Sequence, residues 1–562
     1  MQITNYIHFR NLRGDIFGGV TAAIISLPLA LAFGVASGAG PVAGLYGAVC
    51  VGFFAALFGG TPTLISEPTG PMTVVMTGIF ASLSASHPDN PEIGIAMGFT
   101  VIMLAGVFQI IFGIFKLGKY ITLMPYSVIS GFMSGIGVIL IFLQIAPFLG
   151  QSSPKGGVIG VVTNLPDLIA NINPTAAILG GSTVAVLFLT PKKIKKVVPP
   201  QLIALVGVTI ISVMFFGNDP NLKRIGVIET GLPTLQMPTF TLSQITVMLV
   251  DAVMLAMLGC IDTLLTAVIS DSLTRYEHKS DKELIGQGVA NLVSGICGGL
   301  PGAGATMGTV VNIQTGARTA VSGLTRALIL LVVVLGAAGI TQSIPMPVLA
   351  GIALKVGIDI LDWSFLTRSH KVSLKGSLIM YGVLFLTVFV DLIVAVGVGV
   401  FIANILTIER LSNMQSQTVK AISDADDNID LSPAEKDLLD EGNGRILLFY
   451  LSGAMIFGVS KAISREHNAI KDCDVVILDL SDVPMMGVTA SLTIESAIRE
   501  ACEKGRQVII VGAAGKIKKR LENLGVLSLL PPQHLVTHRQ EALEQALEIV
   551  KNTPQDINAS VY

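Results

Sequence analysis

Charge is what this chain lacks. Only 13% of its 562 residues are Asp, Glu, Lys or Arg, about half the ~25% of an ordinary soluble domain. With 36 basic against 38 acidic residues the net charge is -2, so no global field speaks for nucleic acid or for an acidic substrate. Cysteine is also scarce. Cys50, Cys260, Cys297, Cys473 and Cys502 form no CxxC pair, stand near no histidine at metal-ligand spacing, and by their odd number offer no disulfide framework. Nucleophile elbow, phosphate loop and metal cluster are all missing, so no enzyme is expected. His8, His278 and His370 fall near the ends of apolar runs, where they read as interfacial rather than catalytic. Met1 to Asp15 is polar and mixed in charge, with no short apolar core ahead of a small-residue cleavage site. No cleaved signal peptide is expected. What remains is hydrophobic: 51% apolar residues and 59 glycines, a glycine content of about 10% against a usual ~7%. That composition excludes an ordinary soluble enzyme and describes a polytopic membrane protein.

A bilayer core needs about 20 apolar residues as helix. Runs near that length fall at 16–36, 41–59, 94–115, 126–146, 174–190, 201–216, 244–269, 284–298, 320–338, 346–361, 376–390 and 392–408. Two further runs, Met72 to Leu83 and Thr306 to Gln314, are too short to span as regular helix. The positive-inside rule decides whether they count. With the N-terminus in the cytoplasm, the even-numbered connections carry Lys116 and Lys119, then Lys192, Lys193, Lys195 and Lys196, then Arg275, Lys279 and Lys282, then Arg318, then Arg368, Lys371 and Lys375, and finally Arg410. The odd connections hold only Lys155, Lys223 and Arg224. Dropping the short runs would put Lys116, Lys192 and Arg275 on the wrong side. The expectation is a polytopic α-helical protein of fourteen spans in the plasma (inner) membrane, both termini cytoplasmic.

Seven spans lie in each half, roughly 13–216 and 243–410. An odd number per half sets the halves in opposite orientations, which is the footprint of an inverted repeat. The short runs take matching places, third and tenth. Each follows a stretch that cannot be regular helix: Ile65-Ser66-Glu67-Pro68-Thr69-Gly70-Pro71-Met72-Thr73 and Gly298-Gly299-Leu300-Pro301-Gly302-Ala303-Gly304-Ala305-Thr306. Proline lacks the amide and glycine weakens helix. Such backbone is tolerated at membrane depth only where it is packed within protein or lines a polar cavity. Two half-helices starting at mid-depth from opposite sides present their N-termini to each other. Each end bears about half a positive charge and several unpaired N–H groups, which together make an anion site. Thr69, Thr73 and Thr306 add hydroxyls. Two kinked, tightly packed helices without a ligand are the bland alternative, and the matched pair in symmetric positions favours the site. Glu67 is placed near the aqueous rim, Arg318 and Arg326 toward the cytoplasmic side, and Lys355 in the twelfth span is left without an assignment.

Asp251, Glu283, Asp359 and Asp391 sit in loops or at span ends, but Asp262 lies deep in the eighth span. A carboxylate at mid-bilayer costs about 2.5–3.5 kcal/mol on insertion scales, so it faces a cavity or a partner. Thr266, four residues on, shares its helical face. Carboxylate, hydroxyl and backbone carbonyls from a nearby unwound loop make an all-oxygen cage for a hard cation. Na⁺ fits such a cage, a proton on Asp262 competes, and a structural hydrogen bond between helices is the third option. An ionised Asp262 would repel an anion held between the helix ends, so a cation there should bind cooperatively with the anion.

The run Glu283-Leu284-Ile285-Gly286-Gln287-Gly288-Val289-Ala290-Asn291-Leu292-Val293-Ser294-Gly295, followed by the loop at 301–306, resembles the signature of the SulP family of anion transporters. Gly18-Gly19-Val20-Thr21-Ala22-Ala23, Leu27-Pro28-Leu29-Ala30 and Pro68-Thr69-Gly70-Pro71 belong to the same pattern, and the likeness covers essentially the whole chain. It is greatest to the family's sodium-dependent bicarbonate symporters. The resemblance implies the seven-plus-seven inverted-repeat fold shared with uracil permeases, core and gate domains, and a cytoplasmic domain that supports a homodimer. It also implies a cation site of Asp262, Thr266, Gly304 and Thr306, and an anion site using Thr69 and the amide-bearing loop at Gly304 and Ala305, with Thr73 beside it. Family members thought to use protons often have Glu at the position of Asp262, so Asp leans toward sodium.

After Arg410 the composition changes. Residues 411–443 are polar and acidic, end in a short helix-like stretch from Pro433 to Asp440, and read as a linker between a transport domain, 1–410, and a soluble domain, 444–562. In the latter, 446–451, 475–480 and 508–511 read as buried strands, with amphipathic stretches at 456–470, 488–504 and 514–524, which together indicate a small α/β sheet. Leu478-Asp479-Leu480-Ser481-Asp482-Val483-Pro484, with Val488-Thr489-Ala490, resembles the STAS domain. In related soluble domains a Ser or Thr at Thr489 is a phosphate acceptor, usually with Asp two residues earlier, where this chain has Gly487. Thr489 is therefore read as capping the helix that follows. Lys516, Lys518, Lys519 and Arg520 read as a solvated helix face ahead of a contact to anionic lipid.

Spans and charges alone indicate a carrier of a small anion. The resemblance makes it bicarbonate, taken up with Na⁺ and without an organic cofactor. Proton-coupled uptake of sulfate or a dicarboxylate, and an anion channel, are the alternatives. A larger, doubly charged ligand would recruit Arg or Lys to the cavity, so reliance on helix ends and hydroxyls favours a monovalent, hydroxylated anion.

Overall fold

The structure, a computed structural model, describes residues 4–121, 125–195, 198–217, 219–226, 231–336, 342–390, 392–416, 419–423, 431–455 and 473–553. It divides into two compact units, Met1–Phe401 and Ile402–Tyr562.

The apolar runs of the first unit form helices α1 (Leu12–Ser37), α2 (Pro41–Phe58), α3 (Gly70–Ala85), α4 (Pro91–Ile114), α5 (Tyr126–Phe148), α6 (Pro174–Leu189), α7 (Pro200–Phe216), α8 (Ile245–Thr274), α9 (Ser280–Ile296), α10 (Thr306–Gln314), α11 (Val321–Gly336), α12 (Met346–Ile360), α13 (Leu374–Phe389) and α14 (Leu392–Ser416). Proline opens α2, α4, α6 and α7, where its missing N–H would have had no helical acceptor in any case. By length and composition α1, α2, α4, α5 and α8 can each cross a membrane, while α3, α6, α7, α11 and α13 are apolar but shorter.

The helices sort into two bundles. In one, α4 and α2 pack on α9, α11 packs on α1 and α2, and α8 packs on α4. In the other, α12 and α13 pack on α5, while α6 packs on α12 and α7. Small residues permit the close approaches, as is usual where lipid supplies no hydrophobic drive between helices. A Cβ on Gly106 of α4 would lie 2.5 Å from the Leu292 amide nitrogen of α9, and one on Gly288 would lie 2.6 Å from the Gly106 carbonyl oxygen.

Each short run forms a helix that starts just after a strand. Strand β1 (Ser66–Glu67) precedes α3 and strand β2 (Ala303–Gly304) precedes α10, and the two strands pair antiparallel with Ser66 opposite Gly304 and Glu67 opposite Ala303. At 16 residues, α3 extends beyond the run from Met72 to Leu83 and is about 24 Å long at 1.5 Å per residue. The nine residues of α10 reach only about 13 Å.

In the second unit, strands β3 (Val419–Ile422), β4 (Ile446–Ser452), β5 (Val475–Asp482), β6 (Gln507–Val511) and β7 (Leu535–Val536) form one sheet in that order. β3 runs antiparallel to β4 and the other neighbours are parallel. Alternate residues face opposite layers. Leu447, Phe449, Val476, Leu478, Val508 and Ile510 meet α16 (Val488–Glu503) and α17 (Gly515–Asn523), whereas Ile446, Leu448, Val475, Ile477 and Ile509 meet α15 (Pro433–Glu441) and α18 (Arg539–Asn552). The stretch read as a linker therefore contributes β3 and α15 to this fold. Ser432 and Glu435 start α15 with a reciprocal capping box. The expected amphipathic stretch at 456–470 lies outside the described residues.

Candidate anion and cation site

The crossing of β1 and β2 is the frame of the site. The Ala305 amide donates to the Ile65 carbonyl at 2.8 Å, and the Ile65 amide donates to Thr309 Oγ1 at 3.0 Å. Side chains at the two glycines here would be crowded. A Cβ on Gly302 would stand 2.5 Å from the Glu67 carbonyl oxygen, and one on Gly304 would stand 3.2 Å from Leu64 Cδ1, Thr263 Cα and Thr266 Cβ.

Helix α8 lies against this crossing and brings Asp262, Thr263 and Thr266 to it. Thr69 Oγ1 donates to Asp262 Oδ2 at 2.8 Å. Thr266 Oγ1 donates to the Gly304 carbonyl at 2.8 Å and lies 2.9 Å from Thr306 Oγ1, while the Gly304 amide donates to Thr263 Oγ1 at 3.1 Å. Of the residues expected to hold a cation, Thr266, Gly304 and Thr306 touch one another, while Asp262, one turn away on α8, is bonded to Thr69. Carboxylate, hydroxyl and carbonyl oxygens are the donors a hard cation takes. Asp262 and Thr69 are each 8% exposed, whereas Thr306 is exposed and Ala305 half-buried, so the cluster opens on the α10 side.

Both half-helices begin without a side-chain cap. Thr69 holds the N-cap position of α3 and Ala305 that of α10, and neither makes a capping bond. Threonine normally accepts an amide there, but Thr69 is turned to Asp262. First-turn amides have no acceptor within a helix, so both ends keep N–H groups for an outside anion. Two expectations shift. The Ala305 amide is bound to Ile65 and is not free for a ligand, and the next amides along α10 are those of Thr306 and Met307. Thr73 sends both its amide, at 2.9 Å, and its hydroxyl, at 2.8 Å, to the Thr69 carbonyl, so it pins the turn rather than facing a ligand.

The placing of Glu67 at the aqueous rim is overturned. Glu67 is 3% exposed and Arg326, on α11, is 0% exposed. Arg326 Nη2 meets Glu67 Oε2 at 2.6 Å, Nε donates to Ser26 Oγ at 2.8 Å, and Nη1 donates to the carbonyls of Ser66 at 3.1 Å and Ala48 at 3.3 Å. Position in sequence put Arg326 near the cytoplasmic side, but its long side chain reaches the crossing and ties α1, α2 and β1 together. Each charge has its counterpart there, as a buried ion requires. Lys355 is also placed: it pairs with Asp359 and stands 4.9 Å from the centre of the Phe188 ring.

The motif Gln287, Asn291, Ser294 served in the sequence only as a family likeness. In the fold these side chains point from one face of α9 at the loop leading into α10. Gln287 Nε2 donates to the Gly302 carbonyl at 2.9 Å. Asn291 donates from Nδ2 to the same carbonyl at 3.0 Å and to Gln109 Oε1 at 2.8 Å, and its Oδ1 accepts the Gly302 amide at 2.8 Å. Ser294 Oγ donates to the Leu300 carbonyl at 2.7 Å. Irregular backbone inside a membrane needs such partners, and the polar spacing of four and three residues was the signal for it.

In the sheet unit Thr489 does not cap α16. Gly487 is the N-cap, because the turn out of the strand ends in extended backbone at that glycine, and Thr489 is exposed in the first helical turn. Lys516, Lys518 and Lys519 are exposed as expected, while Arg520 donates to the Met486 carbonyl.

The family model for the sulfate permease family matches residues 12–383, and that for the STAS domain matches residues 438–542. Over 548 residues the chain is 65% identical to the bicarbonate transporter BicA of Picosynechococcus sp., with 97% of each chain covered. The solved transmembrane domain of a cyanobacterium bicarbonate transporter BicA is 65% identical and superposes with a TM-score of 0.67, covering 70% of this chain and 100% of that one. The murine Solute Carrier 26 family member A9 anion transporter, in the inward-facing state, is 18% identical and shares the fold, with a TM-score of 0.80 across 97% of this chain and 92% of its own.

Proposed function

For this chain, which belongs to the sulfate permease family and carries a C-terminal STAS domain, we propose a secondary transporter that takes up bicarbonate together with Na⁺ at the crossing of β1 and β2, where α3 and α10 begin. The observation that carries the reading is two helices that start uncapped at one crossing, beside a buried carboxylate. Bicarbonate is favoured by the 65% identity to a bicarbonate transporter over 97% of both chains. It is also favoured by chemistry. A dianion would call for an unpaired Arg or Lys, and Arg326, which reaches the crossing, is neutralised by Glu67.

Na⁺ is held by Asp262, Thr266, Thr306 and the Gly304 carbonyl. The anion takes the first-turn amides of α3 and α10 and the Thr69 hydroxyl. Like unit charges about 5 Å apart at an effective dielectric of about 20 repel by about 3 kcal/mol, roughly a few hundredfold in affinity. A sodium ion at Asp262 removes that repulsion, which is why the two would travel together.

Around this site the chain makes fourteen crossings in two inverted sevens, with both termini and the STAS domain in the cytoplasm of a plasma-membrane homodimer. Helices α1–α4 and α8–α11 form the moving core. Helices α5–α7 and α12–α14 form the gate, and the two shift by an elevator or rocking motion. Radiolabelled bicarbonate uptake into vesicles tests the coupling. It should need an inward Na⁺ gradient and disappear in Asp262→Asn; uptake that persists in that variant, or without Na⁺, rejects sodium coupling.

A further inference from the structure

Thr69 belongs to both halves of the site. A hydroxyl has one proton to donate, and that of Thr69 goes to Asp262 Oδ2 at 2.8 Å. It does so from the N-cap of a helix that starts without a side-chain cap, so an anion drawn to that helix end would compete with the carboxylate for one donor. The backbone beneath it is pinned. The Thr69 carbonyl accepts both the Thr73 amide and the Thr73 hydroxyl, and Thr69 itself is extended at φ −111° and ψ 159°. Outside the helix the hydroxyl is free of the constraint a helical turn puts on χ1, so moving between staggered positions re-aims it without backbone motion.

Resting on the transport reading above, we infer that Thr69 is the coupling element, whose single hydroxyl donor is given to Asp262 or to the anion, with a cation at Asp262 deciding which. A cation on the carboxylate oxygens takes the lone pairs that the hydroxyl uses and weakens them as acceptors. The anion, drawn by the helix ends, then receives the bond. Coupling is reciprocal, so the anion strengthens cation binding by the same factor. This mechanism gives Thr73 its place: it keeps the Thr69 backbone still while the side chain turns.

The test is equilibrium binding to the purified full-length protein, with ²²Na⁺ and ¹⁴C-bicarbonate as probes, each titrated with and without the other. Thr69→Val keeps the shape and removes the donor. A hydrogen bond to a charged group corresponds to about a tenfold change or more. Bicarbonate affinity at saturating Na⁺ should therefore fall about tenfold, while Na⁺ affinity measured alone should rise several-fold. The factor by which bicarbonate tightens Na⁺ should drop by about ten. Thr69→Ser retains the donor and should keep that factor within about twofold. Parallel weakening of both ligands in Thr69→Val with the factor unchanged, or loss of coupling in Thr69→Ser but not in Thr69→Val, overturns the inference. Failure of the transport reading looks different, since the wild-type protein would then show no mutual effect of Na⁺ and bicarbonate at all.

Discussion

Arg326→Ala is the perturbation whose cost follows most directly from the structure. The substitution leaves Glu67, with only 4% of its side chain exposed, as a buried carboxylate without its partner. It also strips donors from Ser26 Oγ and from the carbonyls of Ser66 and Ala48. Breaking a buried pair by removing one member costs about 3–5 kcal/mol. Arg326→Lys can reach Glu67 with its ammonium but cannot span all four acceptors, so about 1–2 kcal/mol should be lost. The double variant Glu67→Gln/Arg326→Met removes both charges and should recover at least about 2 kcal/mol of the single Arg326→Ala loss, because no uncompensated charge remains. Equilibrium unfolding of the purified protein in mixed micelles measures all three. The pair also holds the carbonyl of Ser66, the residue opposite Gly304, so bicarbonate KM should rise in Arg326→Lys even where the protein stays folded. An Arg326→Ala protein within 0.5 kcal/mol of wild type, or a double variant worse than the single one, would refute the reasoning.

Gly304→Ala pushes a methyl to within 3.2 Å of three atoms of α8 and Leu64. The neighbours must give way, so Na⁺ affinity should fall about tenfold or more with the protein still folded by gel filtration. Asn291→Leu removes three hydrogen bonds, two of them to the Gly302 backbone. It should cost about 2–4 kcal/mol by the same unfolding assay and, because the loop into α10 loosens, impair uptake before folding is lost. Thr489→Ala, at an exposed first-turn position that caps nothing, should change stability by less than about 0.5 kcal/mol, and a loss near 1 kcal/mol would show a capping role after all.

Helices, breaks and sheet were legible because their causes are local. Apolar run length and the distribution of Lys and Arg marked the elements of the first unit. Pro68, with Pro301, Gly302 and Gly304, breaks helix ahead of α3 and α10, Pro71 falls in the first turn where proline is tolerated, and strands alternating with amphipathic stretches announced the sheet. Even Asp262 with Thr266 was readable, since four residues on one helix define a shared face. The polar triplet on α9 carried its message in its spacing and was overlooked as chemistry.

What only the tertiary structure decided are pairings between distant parts of the chain. Thr69 and Asp262 are separated by 193 residues, Glu67 and Arg326 by 259. Local propensity says nothing about which of several buried donors an acceptor meets across such distances. Packing settles that choice, because every polar group withdrawn from water must find a partner in the space the helices leave. By itself the sequence determined that two helices break, and where. That the breaks cross, that one threonine serves a carboxylate there, and that an arginine from α11 closes the crossing follow from how the bundle packs.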